Sequence, residues 1–383
     1  MEVYIHIPFC AKKCEYCSFI SFQSTDVQKD EYITALLREA ETRKPFADEP
    51  VKTVYIGGGT PSLLSPDQLR RLVDGLRVHF PMDHKVEFTI EANPGTVSEA
   101  FMKTASDLGI NRISFGMQAY QNILLQKLGR IHDFSAVKES VRIARKFFVF
   151  NINLDLIFGI PGQTIDDWNE SLEAALSLQP KHISAYGLIP EEGTPLWKKL
   201  QTGEYALPDP EAEREMYDLA IRKLKSHGLE QYEISNFALP GCECIHNIGY
   251  WTQEQYIGLG LSAASMRITE KSIKGLSCER RTNPDTMDQY MKMVYNKELN
   301  FMEEYIPPKE TKFETLMLSL RMNRGIRPEK FKELHGVTMD SCYRKQLEMM
   351  VHNGLMQYSD GAWSLTRRGM DVQNSVLVEF MDE

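Results

Sequence analysis

Cys10-Ala-Lys-Lys-Cys14-Glu-Tyr-Cys17 places three cysteines on one short stretch, directly after the apolar run Val3-Tyr4-Ile5-His6-Ile7-Pro8-Phe9. Three thiolates on a tight loop can each take one iron of a cubane 4Fe-4S cluster. The fourth iron is then left without a protein ligand, and an open coordination position is where chemistry can occur. Two other readings compete. A structural zinc site usually needs four ligands, often as two Cys-x2-Cys halves, and no second half of that spacing exists. Disulfides need an oxidising compartment, and no apolar export segment precedes Cys10.

The 383 residues suffice for two or three domains. The formal net charge of −9 argues against a nucleic-acid binder that depends on a broad basic face. No apolar run approaches the roughly 20 residues of a membrane helix. The seven cysteines at 10, 14, 17, 242, 244, 278 and 342 are therefore expected as free thiols in a reducing cytoplasm.

The Cys-x3-Cys-x2-Cys spacing resembles that of the radical S-adenosylmethionine (SAM) superfamily. That resemblance implies an open iron that chelates the amino and carboxylate groups of SAM. Outward from this loop, β-rich runs alternate with amphipathic segments. Strands are expected at 3–7, 51–56, 86–91, 112–115, 149–157 and 182–187. Helices are expected at 28–43, 66–79, 97–108, 120–128, 134–146 and 165–178. Such alternation implies parallel pairing through right-handed crossovers. Six units fit a partial, TIM-like (β/α)6 barrel, an α/β fold whose site lies at the C-terminal strand ends.

The informative residues fall at those ends. Gly57-Gly58-Gly59-Thr60-Pro61 closes strand two, and consecutive glycines let a ligand approach the backbone. Glu91 in Glu91-Ala-Asn93-Pro94 can bond a ribose hydroxyl, or be a solvated loop acid. Gln118 closes strand four. Arg130 offers a planar fork to a carboxylate, although a lone arginine is more often a surface residue. Asp155 lies in the apolar run Leu154-Asp155-Leu156-Ile157-Phe158 and must pair or bind something. Tyr4 is either within reach of the cluster or a packing aromatic.

Further on, a helix is expected at 209–227 and a strand at 228–237. Cys242-Glu-Cys244-Ile-His246-Asn247-Ile-Gly-Tyr250-Trp251 gathers thiols, an imidazole and two aromatics, each a potential ligand or wall for haem. A tightly packed loop explains it equally well, and zinc on Cys242, Cys244 and His246 is a third reading. Gly258-Leu-Gly260 reads as a close-packing turn. Helical patterns at 309–321, 328–334 and 339–353 precede a hairpin signal at Asp360-Gly361, together a winged-helix-like module. Its last helix is not basic enough to suggest DNA binding. The expected domains are a barrel at 1–228, a connecting region at 229–306 and the C-terminal module at 307–383.

Tyr4-Ile-His-Ile-Pro-Phe-Cys10, Gly57-Gly-Gly-Thr-Pro61, Glu91-Ala-Asn-Pro94, Gly116-Met-Gln118, Leu128-Gly-Arg130 and Asp155-Leu-Ile-Phe-Gly-Ile-Pro-Gly162 together resemble the oxygen-independent coproporphyrinogen III oxidase-like family of that superfamily. The resemblance implies cluster ligands Cys10, Cys14 and Cys17. It implies SAM contacts from Tyr4, Gly58, Gly59, Thr60, Glu91, Gln118, Arg130 and Asp155. The family has a dehydrogenase branch and a HemW-type haem-chaperone branch. Dehydrogenases carry a further cysteine two positions after the third cluster cysteine, where this chain has Phe19, and a longer stretch ahead of the cluster. The chaperones carry His-Asn-x-x-Tyr-Trp, present here as His246-Asn247-Ile-Gly-Tyr250-Trp251. By that resemblance the chain binds haem near His246, Asn247, Tyr250 and Trp251. It passes the haem to membrane respiratory proteins and does not bind nucleic acid. Peripheral membrane contact and a monomer or homodimer are all compatible with it. The rival expectation is decarboxylation of coproporphyrinogen III.

Overall fold

The computed structural model describes residues 1–43, 49–83, 85–272, 275–296 and 302–381. Six strands, β1 (Glu2–Ile7), β2 (Thr53–Gly58), β3 (Glu87–Ala92), β4 (Arg112–Gln118), β5 (Asn151–Phe158) and β6 (His182–Gly187), lie side by side in chain order, every pair parallel. Sequential order without a reversal is the signature of a barrel segment rather than a doubly wound sheet. Helices α1 (Asp26–Arg43), α2 (Pro66–His79), α3 (Glu99–Asp107), α4 (Asn122–Lys127), α5 (Phe134–Lys146) and α6 (Ile165–Ser177) make the crossovers.

Strand alternation sorts the side chains by chemistry. Val3, Ile5, Val54, Ile56, Ile90, Ile113, Phe115, Leu154 and Ile183 belong to one buried apolar cluster with helix residues such as Leu36, Leu72, Val141 and Leu172. The alternate positions are polar: Glu2, Tyr4, Thr53, Tyr55, Glu91, Ser114, Asn153, Asp155, His182 and Ser184. The hydrophobic effect thus holds helices to the outside of the sheet, while the inner surface keeps a connected polar set.

Beyond Gly187 the chain follows α7 (Pro195–Gln201) and α8 (Pro210–Ser226), and then departs from expectation in three places. Residues 228–237 do not form one strand. They hold β7 (Glu230–Gln231) and β8 (Asn236–Ala238), an antiparallel pair, with β8 antiparallel to β6. The His246 segment is a helix, α9 (Ile245–Trp251), rather than a loop. Gly258 lies within a strand, β9 (Tyr256–Leu259), parallel to β1. A Cβ at Gly258 would sit 2.0 Å from the Ala264 carbonyl, so the close approach read from the glycines is real. Strands β10 (Ala264–Ser272), β11 (Gly275–Thr282) and β12 (Met302–Ile306) extend this edge, so that among the described residues one 12-stranded sheet crosses position 228. The sequence pattern suggests no strand at β10 or β11, because Glu, Lys and Arg interrupt their apolar alternation.

After α10 (Met287–Asn296), helices α11 (Pro308–Ser319), α12 (Pro328–His335) and α13 (Met339–His352) and the hairpin β13 (Met356–Ser359)–β14 (Ala362–Leu365) enclose their own core of Leu316, Phe331, Leu347, Met350 and Phe380. Asp360 and Gly361 have φ of 53° and 76°, the two positive values that a type I′ turn needs. Arg367 bonds Asp218 on α8 at 2.5 Å and Arg214 meets Asp371 at 2.6 Å, joining this module to the barrel. Among the described residues no helix is long and apolar enough to cross a membrane.

Candidate functional site

The cluster loop is pinned on both flanks. Cys10 N–H donates to the Phe22 carbonyl at 3.0 Å, Glu15 N–H to Leu128 at 3.0 Å, and Leu196 N–H to Glu15 at 2.9 Å. Glu15 also pairs with Lys199 at 2.7 Å. Cys10, Cys14 and Cys17 are free, part-exposed thiols that face one cavity of about 520 Å³. Among the described residues no three His, Cys, Asp or Glu side chains are grouped to hold a single metal ion. Two donors aim at the sulfurs: Arg130 Nη1 lies 3.5 Å from Cys14 Sγ, and Thr60 Oγ1 lies 3.5 Å from Cys10 Sγ. Donors of this kind are a normal part of the surroundings of an iron–sulfur cluster. The donor set fits the group.

Gly58, Gly59, Thr60, Glu91, Gln118, Arg130 and Asp155 line the same cavity. The glycines are required by contact. Gly58 has φ +106°, and a Cβ there would lie 2.4 Å from the His6 ring; a Cβ on Gly59 would lie 2.8 Å from the carbonyls of Ile7 and Phe9. Two carboxylates are held differently. Glu91 accepts from Tyr55 OH at 2.8 Å and from Gly58 N–H at 3.0 Å. Burial, with Asp155 nearby, raises its pKa to about 7, against the pull of those two donors. Asp155 accepts from Ser114 at 2.8 Å and from Asn153 at 2.7 Å. Arg130 is anchored at 2.7 Å to both Asn93 Oδ1 and the Gly116 carbonyl. Gln118 closes β4 at φ 64°, where the β4–β5 register slips. Tyr4 is placed apart: it does not line the cavity, and its hydroxyl meets His6 Nδ1 at 3.0 Å.

Sequence reading missed Asn93 as the tie between Thr60 and Arg130, and Tyr55 as the donor to Glu91. The alternation of β2 was the available signal for Tyr55. Exposed apolar side chains stand in the cavity lining: Phe19 is 65 % exposed and Ile189 72 %, with Leu188 and Tyr186 beside polar Lys12, Ser18 and Glu191.

The residues read as haem ligands lie at the opposite end of the barrel. Helix α9 crosses the N-terminal ends of the strands, where Glu87 accepts from Ile245 N–H and His246 N–H, both at 3.0 Å. A Cβ on Gly249 would overlap the buried Glu2 carboxylate at 1.7 Å. His246 is 1 % exposed. Its Nδ1 bonds Thr53 at 2.7 Å, its Nε2 bonds Tyr250 OH at 3.1 Å, and Tyr55 stacks on its face at 5.1 Å. Burial, with Arg112 nearby, lowers its pKa to about 3, so the ring is neutral. Both nitrogens are engaged and the ring is covered, so the seated helix does not fit a porphyrin at His246. Asn247 is half-buried, and Trp251 lies under Arg321 at 5.2 Å. Burial pushes the Cys244 thiol up to about 12, and it faces Glu87 at 3.6 Å. Cys242, Cys244 and His246 do not converge on an ion either.

A cluster loop, a glycine-lined cavity and an α/β barrel segment define a radical SAM protein. The Radical SAM superfamily model matches residues 4–175, and the HemN C-terminal domain model matches 306–372. The chain is 37 % identical to the heme chaperone HemW of Bacillus subtilis (strain 168), over 100 % of this chain and 99 % of that one. It is 33 % identical to HemW of Escherichia coli (strain K12), over 100 % and 98 %. The chain belongs to the HemW heme chaperone family. The solved structure of coproporphyrinogen III oxidase (HemN) from Escherichia coli superposes with a TM-score of 0.85 at 22 % identity, covering 100 % of this chain and 90 % of that one, a likeness of fold.

Proposed function

We propose that this chain binds haem and delivers it to haem-dependent respiratory proteins at the membrane, working from the cytoplasm on a barrel that holds a 4Fe-4S cluster and SAM. The observation that carries this reading is similarity to named haem chaperones along the entire chain. Phe19 at the cavity rim, where the dehydrogenases have cysteine, supports it against the decarboxylase reading.

Cys10, Cys14 and Cys17 would hold the cluster. Gly58, Gly59, Thr60, Glu91, Gln118, Arg130 and Asp155 would hold SAM, with Tyr4 supporting from behind. When bound, the pair supplies one-electron chemistry. The chain's own part is positional. Arg130, fixed by Asn93 and Gly116, presents its cationic fork beside the cluster loop. Tyr55 and Gly58 hold Glu91 in one orientation. Haem coordination by His246 would require α9 to leave its seat.

The test is anaerobic. Protein with a reconstituted cluster is titrated with haemin, then mixed with a haem-free b-type cytochrome. A parallel sample receives SAM, reductant, an electron acceptor and coproporphyrinogen III. Haem bound and transferred, with no protoporphyrinogen, is expected. Protoporphyrinogen formed over many turnovers would make the chain an enzyme of haem synthesis instead.

A further inference from the structure

Five groups form an unbroken hydrogen-bonded line along the inside of the barrel, from α9 to the cavity. Asn153 Nδ2 donates to Asp155 Oδ1 at 2.7 Å. The Asn153 Oδ1 is then left to accept, and His182 Nδ1 lies 2.6 Å from it. With its proton on Nδ1, His182 accepts at Nε2 from Tyr232 OH, 2.8 Å away. The Tyr232 oxygen in turn accepts the N–H of Cys244, the residue ahead of α9, at 3.3 Å. Neutral imidazole has one donor and one acceptor nitrogen, so these distances admit one consistent direction. Every donor points toward Asp155. Burial, with Arg112 nearby, holds His182 neutral, which preserves the pattern.

Tyr232 is tied at its backbone to the C-terminal module. Asn323 N–H donates to its carbonyl at 3.1 Å, and Ile234 N–H donates to Arg321 at 3.2 Å. The same module places Arg321 over Trp251 of α9. Tyr232 therefore stands where barrel, α9 and C-terminal module meet, and its hydroxyl leads to a cavity carboxylate. None of His182, Tyr232 or Asn153 lines the cavity.

We propose that His182 and Tyr232 are positioning residues for the SAM site, which transmit the seating of α9 and the C-terminal module to Asp155. This rests on the reading of Asp155 as a SAM contact. Bonds in such a line polarise one another in a low-dielectric interior, and removing one leaves its neighbours unsatisfied. The chain would let an event at the far end of the barrel alter SAM affinity with no movement of the cluster loop.

The experiment uses the full chain with a reconstituted cluster and labelled SAM in equilibrium dialysis. Cluster absorbance and thermal midpoint are measured on every variant. Tyr232→Phe keeps the ring and removes the donor; it should weaken SAM binding roughly three- to tenfold, the scale of one buried hydrogen bond. Tyr217→Phe is the control. Its hydroxyl bonds the Ile234 carbonyl in the same segment at 2.7 Å but lies off the line, and SAM affinity should be unchanged. In an Asn153→Leu background, adding Tyr232→Phe should have no further effect, because the line is already cut.

Equal weakening by Tyr217→Phe would reduce the effect to loosening of the segment and overturn the proposal. So would a Tyr232→Phe protein that binds SAM normally while Asp155→Asn does not. Normal binding by Asp155→Asn would instead remove Asp155 from the SAM site, and the proposal would fall with that reading rather than by itself.

Discussion

The two ends of the barrel are both crowded with groups able to bind metals or cofactors, yet they use them in opposite ways. At the C-terminal strand ends, Cys10, Cys14, Cys17, Arg130 and Asp155 face a cavity of about 520 Å³. At the N-terminal ends, Glu2, Glu87, Cys244, His246 and Tyr250 face each other. His246 has Thr53 on one nitrogen and Tyr250 on the other, and Glu87 serves the first N–H groups of α9. The lesson is that residue type alone does not separate a ligand set from a plug. What separates them is whether each polar atom already has a partner and whether space lies beside it.

The sharpest way to break this contrast is to remove one group from each end. Cys14→Ala should abolish the visible absorbance of the reconstituted cluster while barely changing the thermal midpoint, since the loop is part-exposed. A large fall in stability would mean that the top end is a structural element too. His246→Ala should do the reverse. It removes two buried hydrogen bonds and a stacked ring, a cost on the order of 3 kcal/mol in denaturant melts. Cluster absorbance should persist. If haem affinity fell while stability did not, the imidazole would be a ligand and α9 would have to open to expose it.

A smaller effect sharpens the same comparison through pH. Glu2 is 1 % exposed, has an unpartnered Oε2, and faces Glu254, the N-terminal amine, Glu87, Lys52 and His246. Burial, then repulsion from Glu254, raises its pKa to about 9 from an ordinary 4.5. The folded chain thus keeps a proton that the unfolded chain releases. Stability from this group is full below about pH 4.5, falls as pH rises toward 9, and is flat above. Glu2→Gln has nothing to release, so it should gain on the order of 2 kcal/mol at pH 7 over the parent and flatten the pH profile. An unchanged profile would show that Glu2 is solvated and the bottom seal imperfect.

Much of the barrel was legible in the chain because its signals are local. Period-two apolar runs, glycine-closed strand ends and the Asp360-Gly361 turn each depend on a few neighbouring residues. The cluster loop was readable for the same reason, since the spacing of three thiols is itself the ligand geometry. The edge strands were harder. Gly258 looked like a turn because it is the Ala264 backbone, six residues on, that makes glycine necessary there. Charged residues at Arg267, Glu279 and Arg281 masked the period of β10 and β11.

Sequence was sufficient for what depends on spacing along the chain: a three-thiol loop, alternating strands and helices, and a terminal helix-and-hairpin module. Folding was needed to reveal which polar side chains satisfy one another. His246 meets Thr53 across 193 positions, and Asp155 is linked to Cys244 through Asn153, His182 and Tyr232. Those partners come from β2, β5, β6, the β7–β8 connection and α9 with its cap, brought together because burying the outer apolar face forces the alternate polar residues into one enclosed space. Within that space an unpartnered group is costly, so the closing of each hydrogen bond is a property of the whole barrel rather than of any segment.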